Sequence, residues 1–211
     1  MTEPQIDLSV VIFAYNEEDN IAPVLAEVVQ WLQANEPNAE VVFVDDGSTD
    51  ATLDAARDAL SDVAHQALRH PVNRGIGAGL KTGVAAARGQ WVTFLPADGQ
   101  VPPAAIGTLR DAARAGADLV LSVYADRDDG ARRKLLSWGV RALIYAVLGV
   151  RLRSDGPYLF RKTLFDAKLL VPDSFFLNFE FPIRNLAAGT STRTVTVHCR
   201  QRLHGQSKSS G

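Results

Sequence analysis

The feature that most constrains the fold is an apolar run at residues 41–44, Val-Val-Phe-Val, which leads directly into Asp45 and Asp46. A run of β-branched and aromatic residues without polar alternation is typical of a strand buried on both faces, as in a parallel sheet. Gly47 permits a tight turn after the two acids, and the Ser-Thr pair that follows is predicted to cap the next helix. By itself this pattern is equally compatible with an ordinary turn.

Two further segments repeat the pattern of an apolar strand that ends in polar residues. Residues 9–14 lead to Tyr15 and Glu17, and residues 91–95 lead to Asp98. The carboxyl ends of parallel strands meet at one edge of an open α/β sheet, and such folds bind their ligands there. The three acidic strand ends are therefore expected at one edge of the sheet.

Strands and helices alternate along the first half of the chain, which predicts a doubly wound, mostly parallel sheet flanked by helices. After residue 125 the alternation ends, and a more helical part is predicted. The predicted strands are 8–13, 40–45, 64–69, 91–95, 118–122 and 193–199, and the predicted helices are 18–34, 50–60, 77–88, 103–115, 131–149 and 179–188.

The composition argues against several classes of protein. With 46% hydrophobic and 22% charged residues, the 211-residue chain is typical of one globular domain. The formal net charge of −2 argues against a nucleic-acid-binding protein. A single cysteine, Cys199, excludes an internal disulfide and suits a reducing cytosol. The polar start of the chain predicts no signal peptide, and no apolar stretch reaches the roughly 20 residues of a membrane span.

Five motifs together resemble the family 2 glycosyltransferases of the GT-A fold, and most closely their polyprenyl-phosphate branch, which is similar to dolichol-phosphate mannose synthase. The resemblance runs from residue 9 to residue 208. Each motif alone is weak, but all five occur in the family's order. They are Tyr15-Asn16-Glu17, Asp45-Asp46-Gly47-Ser48, Asn73-Arg74-Gly75-Ile76-Gly77, Asp98-Gly99-Gln100 and Arg202-Leu203-His204-Gly205-Gln206-Ser207-Lys208.

The resemblance implies a single Rossmann-like GT-A domain over residues 1–211. Residues 8–122 would form the nucleotide-sugar-binding half, and residues 123–211 would form the acceptor-binding half. The implied reaction is inverting transfer of a sugar from a UDP- or GDP-sugar to a polyprenyl phosphate such as undecaprenyl or dolichyl phosphate. The implied location is cytoplasmic, with the protein bound peripherally at the membrane surface on the inner face of the plasma membrane.

For the donor, the resemblance implies a pocket for the nucleotide base that is formed by Ala14, Tyr15, Glu17 and one of the two adjacent acids. It does not indicate whether Asp45 or Asp46 accepts the hydrogen bond from the base. Tyr15 would stack on the base or flank it. Glu17 is also compatible with a purely structural place in the first turn of a helix, where the helix dipole favours an acid.

For catalysis, the resemblance assigns Asp98 and Gln100 to a bound Mg²⁺ or Mn²⁺ that contacts the donor diphosphate, since hard oxygen ligands suit these ions. Family members usually have an acid two residues before this aspartate, whereas the chain has Pro96, so one expected ligand is missing. Arg74 would face the diphosphate or lie in solvent. The glycines of residues 73–79 are predicted to let the loop and its helix approach the donor closely.

Basic residues of the second half are assigned to the acceptor and to the leaving group. The predicted helix at 131–149 combines Lys and Arg with Trp and Leu, which by itself is more typical of an ordinary amphipathic helix than of a helix that lies in a membrane interface. The resemblance favours the membrane interpretation. It assigns acceptor binding to Arg127, Arg132, Arg133 and Ser207, and it assigns catalytic roles at the leaving diphosphate to Arg202 and Lys208 beside Asp98.

A phosphate acceptor needs no general base, because a phosphate monoester with a second pKa near ~6 is largely dianionic at neutral pH. Two alternatives stay open at this point. A GT-A enzyme with a hydroxyl acceptor from the cell wall or a polysaccharide would need Asp155 or Glu180 as its base. A non-catalytic sugar-nucleotide-binding protein is the second alternative, and Pro96 is the residue that favours it.

Overall fold

The computed structural model describes residues 5–125, 139 and 144–201. Residues 144–148 are helical, and a single 3₁₀ turn covers Lys162–Leu164. The strands are β1 (Leu8–Ala14), β2 (Ala39–Asp45), β3 (His65–Arg69), β4 (Trp91–Pro96), β5 (Leu119–Tyr124), β6 (Leu159–Arg161) and β7 (Thr192–Val197). The longer helices are α1 (Glu18–Asn35), α2 (Thr52–Ala59), α3 (Ile76–Ala86), α4 (Ala104–Arg114) and α5 (Leu177–Ala187).

The strands form one seven-stranded sheet in the order β3-β2-β1-β4-β6-β5-β7. Every residue of β2 is buried, as its apolar run predicts. The partners of β1 are β2 and β4, both parallel to it, and the register sets Ala14 opposite Asp45 and Phe13 opposite Pro96. The predicted α/β fold with a mostly parallel sheet flanked by helices is confirmed.

The helices cover the sheet because each has an apolar stripe. In α1 the buried positions include Ile21, Leu25, Val28 and Leu32, spaced by three or four residues, which is the period of one helix face. This stripe packs on side chains of β1 and β2 in one core cluster. A second cluster on the other side of the sheet contains α3 and α5 residues together with aromatic side chains around Phe160.

One strand was not predicted. β6 contains only three residues and runs antiparallel between β4 and β5. A run of three residues is too short to show a strand period, and its partners Trp91–Thr93 and Leu119–Val120 are far away in the sequence. The pairing is therefore a tertiary feature, stabilised by packing of Tyr158 and Phe160 against Phe181.

The start of α2 differs from the sequence-based expectation, and the structure describes only part of the predicted helix at 131–149. The Ser-Thr pair does not cap α2, because the helix begins at Thr52 and the Ser48 hydroxyl accepts a hydrogen bond from the backbone of Asn16 instead. The predicted helix at 131–149 lies largely outside the described residues, and its part at 144–148 is helical. In the described ranges no helix has both the length and the apolar character that crossing a membrane requires.

Candidate active site

The turns that follow β1, β2 and β4 open at the same edge of the sheet, because these strands are in register at their carboxyl ends. The prediction that the acidic strand ends meet at one edge is thus confirmed. Ala14 itself is a buried strand residue at this edge. The turns carry Tyr15 and Glu17, Asp45 and Asp46, and Asp98 with Gln100.

The first two turns are joined to each other by hydrogen bonds. Asn16 has a φ of 52°, a left-handed conformation that asparagine tolerates better than most residues. Its backbone N–H donates to Ser48 Oγ at 2.9 Å, and its side-chain oxygen accepts from the Thr49 N–H at 2.8 Å. The result is one rigid unit, and Tyr15 lies on it with 38% of its surface exposed.

The carboxylate of Asp46 organises the loop after β3. Its Oδ1 accepts from the backbone N–H of Arg74 at 2.9 Å and lies 2.6 Å from His70 Nδ1, while Oδ2 accepts from the N–H of Gly75 at 2.8 Å. Because an ionised carboxylate only accepts, Nδ1 of His70 carries the hydrogen. The other ring nitrogen of His70 lies 2.9 Å from Thr82 Oγ1. Both oxygens of Asp46 are therefore already used inside the protein.

Asp45 is adjacent to Asp46 in the sequence and fully buried, but within the part of the chain that the structure describes its two carboxylate oxygens have fewer hydrogen bonds. Its Oδ1 accepts from the N–H of Ser48 at 3.1 Å. Its Oδ2 lies 3.2 Å from Nε of Arg69, but among the described residues this oxygen makes no hydrogen bond. The guanidinium of Arg69 is half-exposed and donates instead to the carbonyl oxygen of Ser48. Among the described residues, Asp45 thus keeps one carboxylate oxygen that is paired with Arg69 but makes no hydrogen bond.

Asp98 lies in the turn between β4 and α4 and is partly exposed. Its Oδ1 accepts from the backbone N–H of Gln100 at 3.0 Å, and Gly99 between them has a φ of 71°. Within the described ranges no cluster of three or more His, Cys, Asp or Glu side chains is placed to hold a metal ion. One carboxylate and one amide oxygen fit a divalent cation that takes its remaining ligands from a diphosphate and water.

The glycine-rich loop packs against the chain that precedes α5. A Cβ on Gly77 would lie 2.5 Å from the carbonyl carbon of Asp173, so the glycine is needed for contact with the chain before α5. Lys81 Nζ donates to Asp173 Oδ1 at 2.8 Å, and Arg74 Nη2 lies 3.6 Å from Oδ2. The hydrogen bond from Lys81 holds the pKa of Asp173 below its ordinary value, and the charge of Arg74 lowers it further.

Three groups at this edge were missed by sequence reasoning: His70, the Lys81–Asp173 pair, and Arg200. The first follows β3 within the predicted loop region and has no motif of its own. The other two depend on contacts between segments that are about 90 or more residues apart in the sequence. Such contacts leave no local pattern, so only the tertiary structure identifies them.

The remaining predicted positions that the structure describes have partners within the protein. Glu17 directly precedes α1, and its Oε2 accepts from the Asn20 side chain at 2.7 Å. Glu180 is paired with Arg184 at 2.7 Å, and the Asp155 N–H donates to the Ser122 carbonyl oxygen. Six predicted residues lie outside the described ranges and stay predictions: Arg127, Arg132, Arg133, Arg202, Ser207 and Lys208.

Comparison with known proteins identifies the family of this chain. The family model for glycosyl transferase family 2 matches residues 9–182. The chain belongs to glycosyltransferase family 2. An undecaprenyl-phosphate 4-deoxy-4-formamido-L-arabinose transferase from Aeromonas hydrophila is 33% identical over 208 residues, which cover 95% of this chain and 62% of the relative. The chain thus spans less than two thirds of the length of the curated relatives it matches.

Solved structures show the same fold at lower sequence identity. Glucosyl-3-phosphoglycerate synthase from Mycobacterium tuberculosis, in complex with Mn²⁺, UDP and glucosyl-3-phosphoglycerate, superposes with a TM-score of 0.73 at 23% identity. The match covers 95% of this chain and 73% of the synthase. A complex of the same synthase with Mg²⁺ and UDP gives a TM-score of 0.74 at 22% identity, with 95% and 72% covered. These glycosyltransferase structures confirm the GT-A fold.

Proposed function

We propose that this family 2 glycosyltransferase moves a sugar, with inversion, from a nucleotide diphosphate sugar to a polyprenyl phosphate. The observation that carries the proposal is the meeting of three acidic turns at one sheet edge, set by the β1–β2 and β1–β4 registers. The relatives named as undecaprenyl-phosphate transferases support a lipid phosphate as acceptor. The synthase complexes with UDP and a divalent metal support the donor class.

The donor base would be held by Asp45 rather than by Asp46. The ring N–H of uracil or guanine needs an acceptor, and Asp45 Oδ2 is the buried carboxylate oxygen at this edge without a hydrogen bond among the described residues. Asp46 is less suited, because three internal donors already use its oxygens. Tyr15, exposed at the rim of the same unit, would cover the base, and Ala14 and Glu17 lie near it in the sequence.

The donor diphosphate would lie near Asp98 and Gln100, with Mg²⁺ or Mn²⁺ as the cofactor. When bound, such an ion neutralises charge on the leaving diphosphate. Asp98 and Gln100 would supply the hard oxygen ligands that these ions prefer, and the hydrogen bond from the Gln100 backbone N–H directs the Asp98 carboxylate. Arg74 is half-exposed, and its 3.6 Å pair with Asp173 is weak enough to exchange for a phosphate.

The acceptor phosphate would act directly as the nucleophile. A phosphate oxygen attacks the anomeric carbon, the bond from that carbon to the diphosphate oxygen breaks, and the configuration inverts. No proton has to leave the dianionic acceptor, so no general base is required. Glu180 is held by Arg184 through Oε1, and this reaction assigns no proton transfer to it. Arg202 and Lys208 stay assigned from the sequence to the leaving group, and Arg127, Arg132, Arg133 and Ser207 to the acceptor.

A peripheral location at the cytoplasmic membrane face is proposed from the distribution of exposed apolar side chains. Seven of the nine large hydrophobic residues exposed in the described part of the chain lie in two segments, 145–148 and 169–176. Ile144, which precedes the first segment, and Leu170, which lies within the second, belong to the same core cluster, so both segments lie on one side of the sheet. We call this set the apolar rim. Its members are Tyr145, Val147, Leu148, Leu169, Val171, Phe175 and Phe176.

The charge around the apolar rim suits an anionic bilayer. Residues 144–176 contain five Lys or Arg and three Asp, whereas the whole chain has a formal net charge of −2. Aromatic and aliphatic side chains near cationic ones are typical of proteins that bind at the headgroup level. Such a position would bring the acceptor phosphate to the sheet edge while its lipid chain stays in the bilayer.

The reaction is tested with purified protein and a panel of UDP- and GDP-sugars, with and without polyprenyl phosphate. The expected result is release of nucleoside diphosphate and formation of a lipid-linked sugar only when the lipid phosphate is present. Efficient transfer to a soluble hydroxyl acceptor without lipid would refute the acceptor assignment. Absence of transfer from any donor, in protein that still binds UDP, would favour a non-catalytic binding protein.

Membrane association is tested separately by flotation with vesicles that contain anionic lipid. Changing Phe175 and Phe176 together to Ser is expected to weaken binding at least tenfold, because each phenyl group contributes roughly 1.5–3 kcal/mol when it leaves water. Val72→Ser is the matched control, since Val72 is 62% exposed but lies in the loop after β3. Changing Arg132 and Arg133 to Ala is expected to weaken binding by about ten- to hundredfold, with less effect at high salt. If Val72→Ser weakened vesicle binding as much as the Phe175/Phe176 and Arg132/Arg133 changes do, the assignment of the apolar rim to the membrane would be wrong.

A further inference from the structure

The chain that leaves β7 returns to the turn that carries Asp98. The backbone N–H of Arg200 donates to the carbonyl oxygen of Gln100 at 2.9 Å. The side-chain Nε of the same arginine donates to the carbonyl oxygen of Gly99 at 2.6 Å. Two consecutive carbonyl groups of the turn are thus held by one residue that lies about 100 positions away in the sequence.

The rest of the guanidinium group is held by α1. Nη1 of Arg200 donates to Oε1 of Glu27 at 3.1 Å, and Nη2 contacts Oε2 of the same carboxylate. These hydrogen bonds raise the pKa of Arg200. The fork of the guanidinium fits two carboxylate oxygens at once, and a lysine ammonium lacks the fixed set of donors that also reaches Gly99.

Stability alone is a poor explanation for this arrangement. The side chains of Arg200 and Glu27 are each more than a third exposed, and exposed ion pairs contribute little to the free energy of unfolding. What the contacts do is fix a turn that has a glycine at its centre. Because Asp98 Oδ1 accepts from the Gln100 N–H, the direction of the carboxylate depends on the geometry of that same turn.

We propose that Arg200 is a positioning residue, oriented by Glu27, that holds the Asp98–Gln100 turn in the conformation that binds the cation and diphosphate of the donor. The inference rests on the proposed function, in which Asp98 and Gln100 supply the ligands. Neither Arg200 nor Glu27 touches the donor in this account. They act by holding the Gly99 and Gln100 carbonyl groups.

The test compares Arg200→Lys with Arg161→Lys. Arg161 is paired with Asp118 at 2.6 Å with similar exposure, but it lies in β6 opposite the first residue of β4, away from the Asp98 turn. Binding of Mn²⁺ in the presence of UDP is measured from the electron paramagnetic resonance signal of free Mn²⁺. Amide hydrogen exchange at residues 98–101 and thermal melting are measured on the same proteins.

Arg200→Lys is expected to raise the Kd for Mn²⁺ about tenfold and to speed exchange in the turn, with a melting temperature close to that of wild type. Glu27→Gln, which keeps one acceptor oxygen, is expected to raise the Kd about threefold, and Arg161→Lys to change it less than twofold. Unchanged Mn²⁺ binding in Arg200→Lys, or an equal loss in Arg161→Lys, overturns the positioning role alone. Failure of the wild-type protein to bind Mn²⁺ with UDP overturns the proposed function as well.

Discussion

Substitution of Asp46 by Asn separates its structural role from the donor-binding role that we propose for its neighbour Asp45. The carboxylate accepts from two backbone N–H groups and from His70 Nδ1. An amide has a single acceptor oxygen, so at least one donor of the loop would face an N–H₂ group instead. A buried donor without an acceptor costs about 1–3 kcal/mol, and loss of the charge-assisted contacts adds to this.

The expected loss for Asp46→Asn is therefore about 3 kcal/mol in the free energy of unfolding, which corresponds to roughly 6–12 °C in melting temperature for a domain of this size. Urea unfolding at neutral pH measures it. Asp54→Asn is the control, because Asp54 is on α2 with 85% of its side chain exposed, and its change is expected to stay within about 0.5 kcal/mol. A wild-type midpoint for Asp46→Asn would refute this account of the loop.

Asp45→Asn completes the comparison. An asparagine keeps an oxygen that can accept from the Ser48 N–H, and the only charged partner it loses among the described residues is the half-exposed Arg69. The expected effect on stability is smaller than for Asp46→Asn, while the expected loss of UDP affinity is larger than can be ascribed to unfolding. Calorimetric titration with UDP measures the affinity. Equal UDP affinity of Asp45→Asn and wild type would exclude Asp45 as the base-binding acid.

Three further outcomes are expected. Asp98→Ala is expected to abolish sugar transfer while the melting temperature stays close to that of wild type. Chelation is expected to stop the wild-type reaction until Mn²⁺ or Mg²⁺ is added. Full activity in the presence of chelator would contradict the proposed metal role. Gly77→Ala is expected to lower the free energy of unfolding by about 1–3 kcal/mol in urea titrations, because its Cβ would meet the backbone of Asp173. Gly139→Ala is the control and is expected not to lower the free energy of unfolding, because its Cβ would meet no atom of the described residues within 4 Å. Glu40→Gln is expected to destabilise the protein at pH 7 but much less near pH 3. Burial raises the pKa of Glu40, but hydrogen bonds, led by that from the Arg88 backbone, outweigh burial and hold the pKa below its ordinary value of 4.5. The stability that the ionised Glu40 contributes is therefore lost as the pH falls through the lowered pKa. A constant difference in urea midpoint between pH 7 and pH 3 would contradict this.

Local patterns predicted the parts of the fold that local physics determines. Buried parallel strands need uninterrupted apolar runs, and the runs before Tyr15, Asp45 and Asp98 all became adjacent strands. Their relative register could also be inferred in outline, because the strands of a sheet covered on both faces are mostly apolar and the apolar runs end at the acidic turns. The meeting of the acidic turns therefore followed from the sequence.

The differences between chemically identical residues did not follow from the sequence. Asp45 and Asp46 are adjacent and of the same type, yet one ends β2 beside Arg69 and the other turns toward the loop at residues 70–75. Which carboxylate keeps an oxygen without a hydrogen bond among the described residues depends on where β3 and its loop lie, which is a tertiary property. The same holds for β6 and for the Glu27–Arg200 contact, whose partners are 173 residues apart.

Pro96 acquires a physical explanation from the same contacts. It is the last residue of β4, and β6 pairs only with Trp91–Thr93 at the other end of that strand, so the missing N–H of the proline costs no ladder bond on that side. A proline also fixes φ at the entrance of the turn, while Arg200 holds the carbonyl groups of Gly99 and Gln100 at its exit. A site with one acid fewer depends more on how well its remaining ligands are preorganised. The turn around Asp98 is restrained on both sides, and that restraint is what a single carboxylate needs if it is to hold a cation on a diphosphate.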